Sequence, residues 1–173
     1  VTRAEATEET NTRYAQGGIV ARGEGDSSEQ LVHDVLGAGA GLCLPSAVRT
    51  LAEEGPALVR RLLVEEAAVP FDRDGKGELA YTREGGHSLA RVLHIGDMTG
   101  QAIEQGLLER LRQCPNVTLQ AGSTAVDLIT SPHHVRDPLA VYQPIACNGA
   151  YVLDRMTGAV HRVLARATVL ASG

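Results

Sequence analysis

The chain has 173 residues, 43% of them hydrophobic and 21% charged, with a formal net charge of −5. That length and balance allow a folded domain with its own core and exclude a disordered polymer. Scattered basic residues on an acidic whole exclude a nucleic-acid footprint, and no apolar run reaches the length of a membrane-spanning helix.

The elements follow in chain order. Asp26, Ser27 and Ser28 precede apolar residues at Leu31, Val35, Ala38 and Leu42. This predicts a helix from about residue 27, with hydroxyls accepting from the free amides of its first turn. Its end carries Gly37, Gly39 and Gly41, a sign of close packing against another backbone. Pro45 stands where a first-turn proline belongs, and Val48, Leu51 and Ala52 continue an apolar face up to Gly55. Pro56 is expected to restart a helix carrying Leu58, Val59, Leu62 and Leu63, so that 26–67 reads as a run of helices. Residues 69–90 read as an irregular region rich in the turn formers Pro70, Asp72, Asp74, Gly75 and Gly77. Asp97 or Thr99 is expected to cap a helix over 97–113 whose stripe is Ile103, Leu107, Leu108 and Leu111.

Over 117–173 the pattern turns to strands. A short one is expected at Val117, Thr118 and Leu119, a second at 125–129, and a hairpin of 151–155 with 160–164 about Met156, Thr157 and Gly158. Residues 131–147, with Pro132, Pro138 and Pro144, read as a surface insertion. The apolar run 167–171 reads as a strand covered on both faces. Helices first and strands later give an α/β class with a β-hairpin arm. No repeat, low-complexity tract or linker interrupts 1–173, which is read as one domain.

Cys43, Cys114 and Cys147 are odd in number and far apart. They fit neither a disulfide framework nor a metal-ligand set, and they suit a reducing, cytoplasmic compartment. His133 and His134 have no nearby Cys or patterned carboxylate to complete a metal site and read as loop. No metal is expected.

Two segments carry the chemistry. Thr82, Arg83, Glu84, Gly85, Gly86, His87 and Ser88 place a cation, a carboxylate, an imidazole and hydroxyls around a glycine pair. Such a pair lets the chain bend sharply or approach a ligand; taken alone, it is also the composition of a solvated turn. Asn11, Thr12, Arg13, Tyr14, Ala15, Gln16, Gly17, Gly18 and Ile19 again join hydrogen-bonding side chains to a glycine pair. In this order and spacing, NTRYAQGGI and TREGGHS resemble the L-aspartate oxidase family, relatives of the succinate dehydrogenase and fumarate reductase flavoprotein subunits. The resemblance continues through VLGAGAGLC (35–43), AVPFDRDGKGELA (68–80), RVLHIGDMTG (91–100), STAVDLI (123–129) and RATVLASG (166–173), and so covers nearly the whole chain.

The resemblance implies FAD, held by a partial Rossmann-like FAD-binding domain without its N-terminal GxGxxG unit and without the capping domain. It places Asn11, Thr12, Arg13, Tyr14, Ala15, Gln16, Gly17 and Gly18 along the ribityl, pyrophosphate and flavin edge. Asn11 stands where relatives often have Ser. Val126 falls in the segment that runs past the adenine, although an ordinary buried strand valine fits the pattern too. Ala171, Ser172 and Gly173 resemble the strand end that returns to the pyrophosphate, with Ser172 where relatives usually have Thr.

For substrate, the resemblance assigns Glu84 to the ammonium that L-aspartate carries and succinate and fumarate lack. The alternative is that Glu84 pairs with Arg83 or Arg91 to orient the loop. His87 either meets flavin or substrate carboxylate or pins the turn, and His94 reads as a packed residue rather than a catalyst. The implied reaction oxidises L-aspartate to iminoaspartate, with oxygen or fumarate reoxidising FAD, in quinolinate and NAD biosynthesis, a functional link to quinolinate synthase. The acid/base arginine belongs to segments not found here. No catalytic residue is therefore expected among these residues, which are expected to be inert alone. A fumarate reductase or succinate dehydrogenase flavoprotein and a non-catalytic flavoprotein-derived binding module are the alternatives.

Overall fold

A computed structural model describes residues 1–131 and 135–172. The adjacent His133 and His134, read as loop, and the terminal Gly173 lie outside the described residues. The chain, read as one domain from its sequence, divides into two compact units, Asn11–Asn116 and Val1–Thr10 with Val117–Gly173.

In the unit Asn11–Asn116, helix α1 (Ser28–Ala38) begins as expected. The Ser27 hydroxyl accepts from the Gln30 amide at 3.2 Å and the Gln30 side chain accepts from the Ser27 amide at 3.1 Å, a reciprocal capping box. The glycines at its end do not pack against the backbone of another element as expected; beside Gly39 the backbone atom is the Val35 carbonyl of α1 itself. A Cβ on Gly37 or Gly41 would meet nothing within 4 Å, and one on Gly39 would meet the Cys43 sulfur.

Helix α2 (Pro45–Val59) starts on Pro45 and passes straight through Pro56, which corrects the expected restart. Proline has no amide hydrogen, so the Ala52 carbonyl four residues back loses its helical donor. Arg22 replaces it: its Nη2 donates to the Ala52 carbonyl at 3.0 Å and to the Ser28 hydroxyl at 3.0 Å. The helix runs on as a π-helical segment Arg60–Glu66.

Two short strands, β1 (Ile19–Val20) and β2 (Val92–Leu93), pair antiparallel with Ile19 opposite Leu93. Around them Ala21, Leu63, Val69, Phe71 and Leu93 form the core, with Ala102 and Ile103 of helix α3 (Thr99–Arg112) packed against it. Neither Asp97 nor Thr99 caps α3 through its side chain; Met98 occupies the cap position without a side-chain bond. The Thr99 hydroxyl instead accepts from the Ile95 amide at 3.0 Å, tying the preceding loop to the first turn.

In the other unit, β3 (Ser123–Ser131), β4 (Ala146–Asp154) and β5 (Val160–Leu164) form an antiparallel sheet in the order β3-β4-β5. The expected hairpin joins β4 to β5. Its turn is held by the Asp154 carboxylate, which accepts from the amides of Met156 (2.8 Å) and Thr157 (3.1 Å). Those amides, Thr157 foremost, hold the Asp154 carboxyl below its ordinary range. The insertion contains a 3-10 turn, Pro138–Tyr142.

Two expected strands do not form. Val117, Thr118 and Leu119 carry no ladder; the nearest backbone bond runs from the Thr2 amide to the Gln120 carbonyl at 2.8 Å. The run 167–171 is not covered: Val169 is 87% exposed and Leu170 is 67% exposed. The Ala165 amide donates to the Asn148 carbonyl at 2.9 Å, and beyond it no described strand lies alongside. An apolar run without a pairing partner has no reason to extend as a strand.

Candidate functional site

The segment 11–18 opens with a 3-10 turn, Thr12–Tyr14, and is exposed at every residue except the half-buried Arg13. Its inner side is fastened to α3. The Gly100 amide donates to the Ala15 carbonyl at 3.0 Å, and a Cβ on Gly100 would run into the Thr12 and Ala15 carbonyls. Gly100 is thus required for this close approach, a role its place inside a helix conceals. The paired glycines differ. Gly18 lies so close to Val92 and the Leu93 carbonyl that any side chain would collide, whereas Gly17 faces open space. One glycine serves packing onto β2, and the other leaves the backbone open to a ligand.

The turn 82–88 is fixed at both ends. Thr82 bridges to Val92, its amide donating to the Val92 carbonyl at 2.9 Å and its carbonyl accepting from the Val92 amide at 3.1 Å. At the other end, the Ser88 amide and hydroxyl both donate to Asp34 Oδ2 at 2.8 Å. Between them, the His87 amide donates to the Glu84 carbonyl at 3.2 Å, and Gly86 takes φ +82°, the left-handed conformation that glycine adopts without strain.

Glu84 is exposed and makes no ion pair among the described residues. Neither Arg83 nor Arg91 forms an ion pair with it among the described residues, and Arg91 is occupied elsewhere. Its guanidinium is fully buried, with Nη1 on Asp34 Oδ2 at 2.8 Å and Nη2 at 2.9 Å from Asp26 Oδ1, the latter out of line for a hydrogen bond. The Ser88 amide, with the Ser88 hydroxyl and the Arg91 guanidinium, holds the Asp34 carboxyl down to about 2 against the opposing effect of burial. The His87 Nδ1 is buried with no hydrogen-bond partner among the described residues. His94 packs near Asp72, with Nε2 at 3.7 Å from Oδ2, while that same oxygen accepts from the Gly96 amide at 3.1 Å.

Asp34, Arg91 and Gly100 are absent from the expected site. One signal was available for Asp34: it sits three residues after Leu31, on the stripe the helix buries, where an acid needs partners.

In the other unit, Val126 is not the buried strand valine of the alternative reading. The register passes from Ala125–Val152 to Asp127–Tyr151, which leaves Val126 as the extra residue of a bulge, 51% exposed. Ala171 and Ser172 are exposed in irregular backbone.

The family model described as an FAD binding domain matches residues 1–173, and the chain belongs to that family. FAD is accordingly its cofactor. Its relatives narrow the resemblance. The chain is 41% identical over 163 residues to "L-aspartate oxidase 1" of Ralstonia nicotianae, covering 92% of this chain and 29% of that protein. It is 42% identical over 171 residues to the L-aspartate oxidase of Pseudomonas aeruginosa (94% and 30%) and 40% identical over 166 residues to the chloroplastic enzyme of Arabidopsis thaliana (95% and 24%). The chain therefore spans less than a third of the length of these curated relatives.

Among solved structures, it matches a point variant of FrdA from E. coli quinol fumarate reductase with a TM-score of 0.82 and 23% identity, covering 96% of this chain and 26% of that one. It matches Mycobacterium smegmatis Sdh1 in complex with UQ1 with a TM-score of 0.79 and 22% identity, covering 95% and 28%. These two show the fold. No helix among the described residues is long and apolar enough to cross a membrane.

The residues of 11–18 fit FAD. The exposed Asn11 amide, Thr12 hydroxyl and Gln16 amide, with the half-buried Arg13 guanidinium, suit a polyol and a pyrophosphate. The open face of Gly17 admits a flat or bulky group, and the anchorage on Gly100 holds the segment in place.

Proposed function

We propose that this chain is part of an FAD-dependent oxidoreductase that converts L-aspartate to iminoaspartate, and that Glu84 receives the substrate ammonium. The observation that carries this reading is the turn 82–88, which presents an exposed carboxylate, unpaired among the described residues, from a backbone held at both ends. An unpaired carboxylate attracts an amino acid's ammonium and contributes nothing toward a bare dicarboxylate. The names of the relatives support the same substrate. A fumarate reductase shares the fold but has no ammonium for Glu84 to meet.

Bound FAD supplies the two-electron acceptor. Asn11, Thr12, Arg13, Tyr14, Ala15, Gln16, Gly17 and Gly18 hold and orient it in this proposal. Val126, through its bulged backbone, Ala171 and Ser172 are assigned to the cofactor by resemblance, as is Gly173 outside the described residues. The His87 amide pins the turn, and its imidazole remains for a substrate carboxylate. The acid/base group is assigned to a part of the protein other than these residues. The product serves quinolinate formation on the way to NAD, with quinolinate synthase as the functional neighbour and the cytoplasm as the compartment.

Glu84→Gln in the complete gene product tests the substrate reading. Loss of a charged hydrogen-bonding partner is expected to lower kcat/KM for L-aspartate about 10- to 100-fold. Fumarate reduction with an artificial electron donor is expected to stay near wild type. Equal loss of both activities contradicts the ammonium role.

A further inference from the structure

We infer that Asp34 is a positioning residue for substrate selection: from helix α1 it grips Ser88 and so fixes where the turn presents Glu84. The inference rests on the reading of Glu84 given above. Its basis is one oxygen. Asp34 Oδ2 accepts from the Ser88 amide, the Ser88 hydroxyl and Arg91 Nη1, each at 2.8 Å. Asp34 lies 54 residues before Ser88, so this is the tertiary bond that ties the C-terminal end of the turn to a helix.

The grip is itself held rigidly. The Asp34 side chain is 7% exposed and that of Arg91 is fully buried, with Asp26 on the other arm of the guanidinium. His33 Nδ1 stands 3.7 Å from the remaining Asp34 oxygen and is largely in solvent. At the opposite end, Thr82 accepts from the Arg91 amide at 3.1 Å as well as bridging to Val92. Arg91 thus touches both ends of the turn, through its backbone at Thr82 and through Asp34 at Ser88. Among the described residues, the His87 amide's bond to the Glu84 carbonyl is the backbone hydrogen bond found between these two ends. Release of Ser88 would leave the Glu84 carboxylate on a tether fixed at one end. Displacement of a substrate-contacting group by about 1 Å is enough to change a reaction rate about 100-fold.

The test uses the complete gene product with FAD bound. Ser88 is exposed, so Ser88→Ala removes one donor to Asp34 without opening a cavity, and Ser88→Thr keeps the hydroxyl. Ser88→Ala is expected to raise KM for L-aspartate about tenfold while fumarate KM stays near wild type, and Ser88→Thr is expected to restore the wild-type value. Asp34→Asn is expected to act in the same direction with larger effect. In the Glu84→Gln background, Ser88→Ala should add no further increase, because the group being positioned is gone. Amide exchange at His87 and Ser88 should quicken about tenfold in Ser88→Ala, a readout independent of turnover. An unchanged aspartate KM in Ser88→Ala, or full additivity with Glu84→Gln, overturns the positioning role while leaving the assignment of Glu84 intact. A flavin-loaded wild type that does not oxidise L-aspartate overturns both.

Discussion

Gly100 shows how much of a site one residue can decide without touching a ligand. In an exposed helix, Gly→Ala stabilises by about 0.5–1 kcal/mol through backbone entropy. Here the added methyl would run into the Thr12 and Ala15 carbonyls, so the sign reverses. Gly100→Ala is expected to destabilise the fold by about 1–3 kcal/mol in urea unfolding and to weaken FAD binding by displacing 11–18. A stabilised variant with unchanged FAD affinity would show that the segment does not depend on this contact. Residue by residue, legibility divides by chemistry. Glu84 and the run 11–18 announce themselves by carrying polar groups beside paired glycines. Gly100, Asp34 and Arg91 do not, because what they do depends on a partner tens of residues away.

Elements are most legible where their signals are local. The Ser27 box opens α1, and the Asp154 turn closes the hairpin; each is written within four residues. Pro56 shows the opposite case. A proline in a helix ordinarily breaks it at a cost of about 3 kcal/mol, and the break is averted by Arg22, 34 residues earlier in the chain. The Ala52 carbonyl under Pro56 therefore owes its hydrogen bond to a side chain. Arg22→Met is expected to cost about 1–3 kcal/mol in wild type and about 1 kcal/mol less beside Pro56→Ala, which restores a helical donor. Equal costs in the two backgrounds would show that Arg22 does not substitute for the missing amide. The runs 117–119 and 167–171 fail as strands for a related reason: an apolar pattern specifies a face, whereas a ladder needs a neighbour that the local sequence does not name.

At the scale of the whole molecule, the α/β class and the FAD-binding family were legible from end to end, since ordered motifs survive changes in the residues between them; the short strands β1 and β2, which pair across the helices between them, were not. The division into two compact units was not, because no Pro/Gly-rich or charged linker marks it and because Val1–Thr10 folds with the C-terminal strands. There the Thr2 carbonyl accepts from the Ser123 amide at 3.0 Å and the Ala4 carbonyl accepts from the Gly122 amide at 2.7 Å. The chain covers 24–30% of the curated relatives compared above, so the proposed chemistry belongs to the complete gene product. The most direct measurement is the visible spectrum of that product, purified with its FAD and mixed anaerobically with L-aspartate or with succinate. Bleaching of the oxidised flavin bands by L-aspartate, with succinate much slower, is the predicted result. Persistent yellow colour with L-aspartate, or faster bleaching by succinate, would contradict an aspartate-selective flavoenzyme.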